Sequence, residues 1–217
     1  MKLISLTTAA VCALIFASVA LAKVTIYENE VNGKSGFASL KEFAGKNCKK
    51  SWRKKQSLGF TVDGGRTECS WKLPIEGDSN QPDHTLQALG KIANGTDNKA
   101  KEQSFVGLRI RANRKQGYEM RIYPKPRRWE FLRNGKMVEE GTERAIGAIG
   151  KKNLMRLASE GNTVVPRIND VALTTFKDPE ADGVGGRKAL LVSGVGQKTR
   201  KDATGFFDQI KLILPNP

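Results

Sequence analysis

A two-residue alternation of apolar and polar side chains, repeated in short segments, constrains this chain more than any other feature of its sequence. Residues 105–112 alternate in this way, and residues 118–123 repeat the pattern after a short polar segment. The polar positions of the two segments are occupied by Arg109, Arg111, Glu119, Arg121 and Tyr123. Because successive side chains of a β-strand point to opposite faces, each segment predicts a strand with one buried and one polar face.

Turn-forming residues separate the alternating segments. Asn134-Gly135 is typical of a two-residue hairpin loop, and Pro124 and Pro126 end the strand before them because proline cannot donate to a strand ladder. Short helical turns are an alternative at 39–44 and 143–149. Polar loops are predicted at 78–84 and 93–102. Further strands are predicted at 24–28, 36–43, 58–62, 68–73, 129–132, 153–158, 163–168, 171–176, 188–193 and 205–214. Short strands at regular spacing indicate an all-β sandwich or barrel.

The first 22 residues have the pattern of a secretory signal peptide. Lys2 supplies the positive start, an apolar run follows at residues 9–17, and Ala20-Leu21-Ala22 has the form of a cleavage site. No second apolar run of about 18 residues follows, so we expect no transmembrane segment. We therefore predict that residues 23–217 form one β-sandwich domain of a secreted or periplasmic protein, and we expect a monomer.

The cysteines and the histidine restrict the chemistry of such a domain. Beyond Cys12, which lies in the apolar run, the cysteines are Cys48 and Cys69, and the single histidine is His84. An oxidising compartment favours a disulfide between Cys48 and Cys69, with free or metal-bound thiols as the alternative. One histidine excludes a multi-histidine metal site within one chain.

The second half of the chain carries a series of segments with a family resemblance. In order, these are residues 105–112, 117–122, 129–135, 153–157, 165–173 with Phe176 and Asp178, then Gly194 and 205–211. The series resembles the concanavalin A-like lectin/glucanase superfamily, and more narrowly its laminin-G-like domains and the secreted domains grouped with 3-keto-disaccharide hydrolases. The resemblance covers residues 105–213, about half the chain. It implies an antiparallel jelly-roll β-sandwich.

The polar positions of the two alternating strands are the candidate ligand-binding residues. In the superfamily that the chain resembles, the concave sheet binds glycans. Arginine forks suit carboxylate or sulfate groups, and aromatic rings stack on sugars. The predicted binding residues are Arg109, Arg111, Glu119, Arg121, Tyr123 and Trp129. Alternatively, these residues form only the solvated face of a half-buried sheet, and Trp129 packs in the core.

Catalytic and metal sites have weaker signals. Glu180 and Asp182 are the nearest match to the paired carboxylates of a glycosidase, but they lie in a loop-like stretch. His84 has the context of a surface residue, so we assign no catalytic residue. The resemblance also implies a possible structural calcium ion, with Asp178, Asp182 and Asp208 as candidate ligands.

Basic segments give the chain a formal net charge of +15. The densest is residues 46–55, and smaller ones lie at 125–129 and 198–201. Such segments attract anionic polymers, and export favours a glycan or envelope polymer over nucleic acid. We therefore predict a non-catalytic protein that binds an anionic carbohydrate. The alternatives are a glycoside hydrolase or polysaccharide lyase, and an envelope interaction protein with no sugar ligand.

Overall fold

A computed structural model describes residues 24–29, 41–44, 48–53, 57–62, 68–73, 83–113, 116–181, 188–195 and 202–214. The predicted signal peptide at residues 1–22, Asp182 and the basic segment at 198–201 lie outside the described residues. Within the described residues, no helix is long and apolar enough to cross a lipid bilayer.

The described chain is almost entirely β-strand, with one short helix. The strands are β1 (Val24–Asn29), β2 (Lys41–Ala44), β3 (Cys48–Arg53), β4 (Ser57–Val62), β5 (Glu68–Lys72), β6 (His84–Ile92), β7 (Ser104–Asn113), β8 (Gln116–Tyr123), β9 (Arg128–Arg133), β10 (Lys136–Thr142), β11 (Asn153–Glu160), β12 (Thr163–Ile168), β13 (Val171–Ala172), β14 (Phe176–Lys177), β15 (Lys188–Val195) and β16 (Ala203–Leu214). The helix, α1 (Asn98–Lys101), begins after Asp97, whose side chain accepts the Lys99 amide hydrogen.

The strands form two antiparallel sheets. Sheet A has the order β13-β12-β11-β6-β16-β4-β3, with β1 also paired to β16 and β14 to β12. Sheet B has the order β10-β9-β8-β7-β15-β5-β2. The chain passes several times between the sheets, while β7–β10 stay in sheet B and β11–β14 stay in sheet A. The predicted all-β antiparallel sandwich is confirmed.

The core lies between the two sheets. Among its largest side chains, Trp71, Tyr118 and Phe131 come from sheet B and Phe207 comes from sheet A, and each is no more than 2% exposed. The predicted disulfide is present: Cys48 on β3 of sheet A is bonded to Cys69 on β5 of sheet B, with their Cα atoms 5.8 Å apart. This covalent bond ties the sheets together beside the strand that begins at Glu68.

The hairpin between β9 and β10 forms where Asn134-Gly135 predicts it. Asn134 and Gly135 have φ angles of 52° and 73°, the left-handed values that a tight hairpin loop requires. The Asn134 amide hydrogen bonds to the Gly117 carbonyl at 2.8 Å, and the Asn134 side chain accepts from the Gly117 amide at 3.0 Å. The turn therefore also anchors the start of β8.

Several elements differ from the sequence-based prediction. The central strand of sheet A, β6, was not predicted because Leu89 lies on its outer side and Gly90 on its inner side, which hides the alternation. Strand β3 was interpreted only as a basic segment. Residues 41–44 form a strand, so the helical alternative there is wrong. Residues 143–149 form turns, and α1 lies in the predicted loop at 93–102.

Candidate functional site

Four charged residues meet on the outer face of sheet B, the face turned away from sheet A. Arg109 on β7 stands opposite Glu119 on β8, and Arg121 lies two residues further along β8. Glu68 enters from β5, on the other side of β15. Since their neighbours in each strand point into the core, these four side chains share the outer face. We call this set, Glu68, Arg109, Glu119 and Arg121, the Arg–Glu face.

The four residues form a closed ion-pair network. The Arg109 Nε atom donates to Glu119 Oε2 at 2.6 Å, and Arg109 Nη2 contacts both Glu119 and Glu68. Arg121 makes the same kind of contacts: its Nε atom contacts the Glu119 carboxylate, and its Nη2 atom contacts the Glu68 carboxylate. Each carboxylate thus bridges two guanidinium groups. The two positive and two negative charges balance within the network.

Two glycines make room for this network. Gly194 of β15 lies in register with Glu68 and Phe105, so the strand between these two residues carries no side chain at that position. Gly107 of β7 lies opposite Arg121, and a Cβ atom there would approach the carbonyl oxygen of Met120 to 2.2 Å. A side chain at Gly107 would therefore push β7 and β8 apart and separate the paired charges.

Burial and neighbouring charges move the pKa values of the two glutamates in opposite directions. Burial and the negative charge of Glu119 raise the pKa of Glu68, although Arg121 and Arg109 act against this change. Burial also opposes ionisation of Glu119, but the charges and hydrogen bonds of Arg121 and Arg109 outweigh it and hold the pKa of that carboxyl below its ordinary value. Glu119 is only 2% exposed, whereas Glu68 is 28% exposed.

Aromatic side chains border the Arg–Glu face. The Arg121 guanidinium lies 4.5 Å from the centre of the Phe105 ring, and the Arg128 guanidinium lies 4.1 Å from that of Tyr123. The Tyr123 hydroxyl donates to Glu130 Oε2 at 2.8 Å. Burial and the charge of Glu130 raise the pKa of Tyr123, so its hydroxyl keeps its proton at neutral pH. These contacts extend the polar network onto β9 and fix its side chains.

Arg111 does not lie on this face, so the prediction that it shares the surface of Arg109 is wrong. Its φ angle is 47°, and the register of β7 with β8 shifts between Ile110 and Asn113. This bulge turns Arg111 towards the end of the sandwich, where Nη2 donates to Asp83 Oδ1 and to the Gly161 carbonyl, both at 2.8 Å. Arg111 is 3% exposed.

Trp129 also points away from the outer face. It is 6% exposed and belongs to the core between the sheets. Core packing was the alternative prediction for this residue. The predicted binding residues Arg109, Glu119, Arg121 and Tyr123 therefore come together in the fold, whereas Arg111 and Trp129 do not join them.

Two of the three aspartates predicted as calcium ligands, Asp178 and Asp208, have other partners. The Asp178 carboxylate accepts from the Tyr118 hydroxyl at 2.7 Å and from Arg133 Nε at 2.5 Å. Burial raises its pKa, but the hydrogen bonds from Tyr118 and Arg133 outweigh this and lower it. Asp208 pairs with Lys152 at 2.7 Å. In the part of the chain that the structure describes, no group of three or more His, Cys, Asp and Glu side chains could hold a metal ion. The calcium site stays a prediction, since its third candidate ligand, Asp182, lies outside the described residues.

His84 is not the surface residue that its sequence context indicates. It is the first residue of β6 and is 4% exposed. Glu180 is 77% exposed and pairs with Arg133 at 3.0 Å. Neither residue touches the Arg–Glu face through a described contact.

Glu68 is the member of the site that sequence reasoning missed. It begins a predicted strand, but nothing near it in the chain marks its partners, which lie 41 and 53 residues away. The only usable signal was its strand position, on the opposite side from Cys69 and Trp71. Which strand would lie beside it depended on the order of strands in sheet B.

Comparisons with known proteins agree with this fold. No family model matches the chain, and no curated protein matches it by sequence. A Bacillus subtilis protein of unknown function with a galectin-like fold has a TM-score of 0.62 at 9% identity, over 88% of this chain and 97% of that one. The carbohydrate-binding module CBM66 from Bacillus subtilis has a TM-score of 0.55 at 15% identity, over 80% and 94%.

An enzyme shares the same architecture. A carbohydrate esterase from the Shiga toxin-encoding bacteriophage phi24B has a TM-score of 0.55 at 10% identity, over 89% of this chain and 100% of that one. At such identities the likeness concerns the fold and not the activity. The predicted antiparallel β-sandwich fold is confirmed.

Proposed function

We propose that this protein binds a carbohydrate on the outer face of sheet B, with the Arg–Glu face at the centre of the site. The observation that carries the proposal is the closed network of two arginines and two glutamates beside Phe105 and Tyr123. Sugar hydroxyls both donate and accept hydrogen bonds, so they need fixed acceptors and donors close together. Carboxylates and guanidinium groups that hold each other in place supply both without reorganisation on binding.

The charge balance of the network indicates whether the bound sugar is neutral or anionic. Arginine forks recognise anions when they are available, but here both forks contact Glu68 and Glu119 of the same chain. A carboxylate ligand would meet two carboxylates already in position. We therefore propose that the hydroxyl groups of a neutral sugar are bound at this face. The preference for an anionic glycan stays a prediction that rests on the basic segments of the sequence.

We further propose that the protein works outside the cytoplasm, as a secreted or periplasmic protein. The Cys48–Cys69 disulfide supports this location because disulfides persist in oxidising compartments. The signal-like pattern of residues 1–22 supports it independently. The fold of the carbohydrate-binding module CBM66 is in keeping with a sugar ligand.

Glycan-array retention followed by titration calorimetry tests the proposal. Glu68→Gln keeps the shape of the most exposed network member but removes its charge, and we expect roughly 10- to 100-fold weaker binding, since hydrogen bonds to charged groups contribute about 1.5–3 kcal/mol. Arg156→Gln, on the outer face of sheet A, is the matched control and should leave binding unchanged. Equal effects of the two substitutions, or no retention on any glycan, would refute the proposal.

Glycoside hydrolysis is a second candidate, favoured by one observation. Glu68 and Glu119 contact the same Arg109 nitrogen, so their carboxylates lie no more than about 6 Å apart, the span of two hydrogen bonds. Their pKa values move apart, as an acid and an ionised partner require. A hydrolase would release new reducing ends from the bound glycan, and Glu68→Gln would abolish this release. A protein that only binds would release none.

A further inference from the structure

A cavity of about 250 Å³ lies on the other side of the sandwich, at one end of β6 and β16. The side chains of Lys91, Thr204 and Phe206 alternate with residues that point into the core, so they stand on the outer face of sheet A. The turn after β6 and the turn before β11 complete the wall. The cavity is lined mainly by Lys91, Asn94, Gly95, Gly150, Thr204 and Phe206.

Backbone hydrogen bonds and one glycine build this cavity. The Gly150 amide donates to the Ile92 carbonyl at 2.9 Å, and the Ala93 amide donates to the Thr204 carbonyl at 2.8 Å. Gly150 has a φ angle of 81°, and a Cβ atom there would come within 2.0 Å of Asn94 Oδ1. Only glycine at this position leaves room for the Asn94 amide group in the wall. The position of the polar groups is therefore set by the fold.

The cavity presents a cation and no acid. The Lys91 Nζ atom lies 5.4 Å from the centre of the Phe206 ring, and this ring is the ammonium group's only partner within the described part of the chain. The described residues that line the cavity include no aspartate or glutamate. The Thr204 hydroxyl lies 3.0 Å from that of Thr61, and the Asn94 amide adds two more hydrogen-bond donors.

Lys91 differs from three other basic residues near this face of sheet A, whose charges are neutralised. A lysine that faces a concavity without a carboxylate partner retains its attraction for an incoming anion. Three basic residues on or beside this face have acidic partners: Lys152 with Asp208, Arg156 with Asp170, and Lys211 with Glu28.

We propose that this cavity, the Lys91 pocket, binds a small oxyanion such as the carboxylate of an acidic sugar unit or a sulfate group. Its volume is below the roughly 300–1,000 Å³ of pockets that enclose drug-sized ligands, so one small anionic group fits it better than a longer chain. Lys91 supplies the charge, Asn94 and Thr204 supply hydrogen bonds, and Phe206 forms an apolar side. The pocket is independent of the carbohydrate site proposed on sheet B.

Titration calorimetry with three probes tests this pocket. Sodium glucuronate carries the carboxylate on a sugar ring, sodium sulfate carries the oxyanion alone, and glucose is the neutral control. We expect at least one of the two anions to bind and glucose not to bind. Binding of glucuronate alone identifies an acidic sugar as the ligand, and equal binding of both identifies a general oxyanion site. Increasing salt should weaken either interaction.

Matched variants assign any binding to Lys91. Lys91→Met should weaken it at least tenfold, Lys91→Arg should retain most of it, and Glu68→Gln should leave it unchanged. Lys211→Met removes one positive charge from the same sheet face, outside the pocket, and should also leave it unchanged. Amide chemical shifts of the unmodified protein locate the anion even if a variant fails to fold, and we expect them to change at residues 94–95 and 150.

Three results would overturn the proposal. The first is that neither anion binds, or that glucose binds as well as glucuronate. The second is equal affinity of folded Lys91→Met and the unmodified protein. The third is a set of chemical-shift changes centred on β7 and β8 instead of the pocket, which would assign the anion to the Arg–Glu face.

Discussion

The Arg–Glu face and the Lys91 pocket lie on opposite outer faces of one sandwich. They differ in whether their basic side chains are paired with carboxylates. On sheet B, Arg109 and Arg121 share two carboxylates, and the network has no net charge. On sheet A, the described partner of Lys91 is an aromatic ring. The region with more basic residues is therefore the less attractive one for an anion. We therefore expect local pairing, and not the number of basic residues, to decide where an anion binds.

The two regions also differ in what their polar groups contribute to stability. Glu119 is almost fully buried between two guanidinium groups, so its network is part of the folded structure. Lys91 is half-buried at the edge of a cavity and makes no described ion pair. We therefore expect substitutions in the Arg–Glu face to change stability, and substitutions in the Lys91 pocket to change binding.

The largest expected effect follows from removing the charge of Glu119. Glu119→Gln leaves Arg109 and Arg121 close together with one carboxylate between them, and breaking a buried pair costs roughly 3–5 kcal/mol. Urea denaturation measures the loss in the free energy of unfolding. Glu140→Gln breaks an exposed pair with Arg128 and should change it by less than about 1 kcal/mol. Similar values for the two variants would mean that the network is not stabilising.

Reduction of the disulfide should have the next largest effect. Cys48 and Cys69 are 21 residues apart, and opening such a loop costs about 3 kcal/mol in the chain-entropy model. Because Glu68 is adjacent to Cys69, hydrogen exchange should accelerate in β5 more than at residues 91–95. Uniform acceleration in both regions would show that the bond stabilises the whole sandwich and not the Arg–Glu face in particular.

Two glycine substitutions compare the regions directly. Gly107→Ala forces a Cβ against the Met120 carbonyl, and overpacking of this kind costs about 1–3 kcal/mol. Gly150→Ala places alanine at a positive φ, which costs roughly 1–2 kcal/mol, and drives the Asn94 side chain out of position. Thermal denaturation should show the greater loss for Gly107→Ala. Anion binding should be lost only in Gly150→Ala, and the reverse pattern would contradict both site descriptions.

The pH dependence of stability should give the smallest effect, and its sign should differ between the two glutamates. The pKa of Glu68 is raised above 4.5, so its contribution is present below that pH and is lost as the pH rises through the folded value. The pKa of Glu119 is lowered below 4.5, so its contribution is present above that pH and is lost as the pH falls. Relative to the unmodified protein, Glu68→Gln should therefore become more stable as the pH rises above 4.5.

Unfolding curves from below pH 4.5 to neutral pH measure this difference. Glu119→Gln should show the opposite trend, with a smaller deficit relative to the unmodified protein in acid than at neutral pH. Parallel curves for all three proteins would mean that the two carboxyl groups titrate alike in the folded and unfolded states.

Much of the fold could be predicted because apolar and polar side chains alternate along each strand, and this alternation is visible in a short stretch of sequence. Residues 105–112 and 118–123 alternate clearly, and their strands form where predicted. The next hairpin could also be predicted, because its turn depends only on the two adjacent residues Asn134 and Gly135. Strand β6 could not be predicted, since Leu89 and Gly90 blur its alternation, although its position in the centre of sheet A makes it essential to the fold.

The sequence by itself determined an all-β chain, an ordered series of short strands, the cysteine pair and the shared face of Arg109, Glu119 and Arg121. Only the tertiary structure decided that Glu68 completes the network, that the bulge removes Arg111 from it, and that Lys91 meets Thr204 and Phe206 across two strands. The reason is physical: alternation within a strand is a local property, whereas contacts between strands depend on sheet order and register, which no single segment specifies.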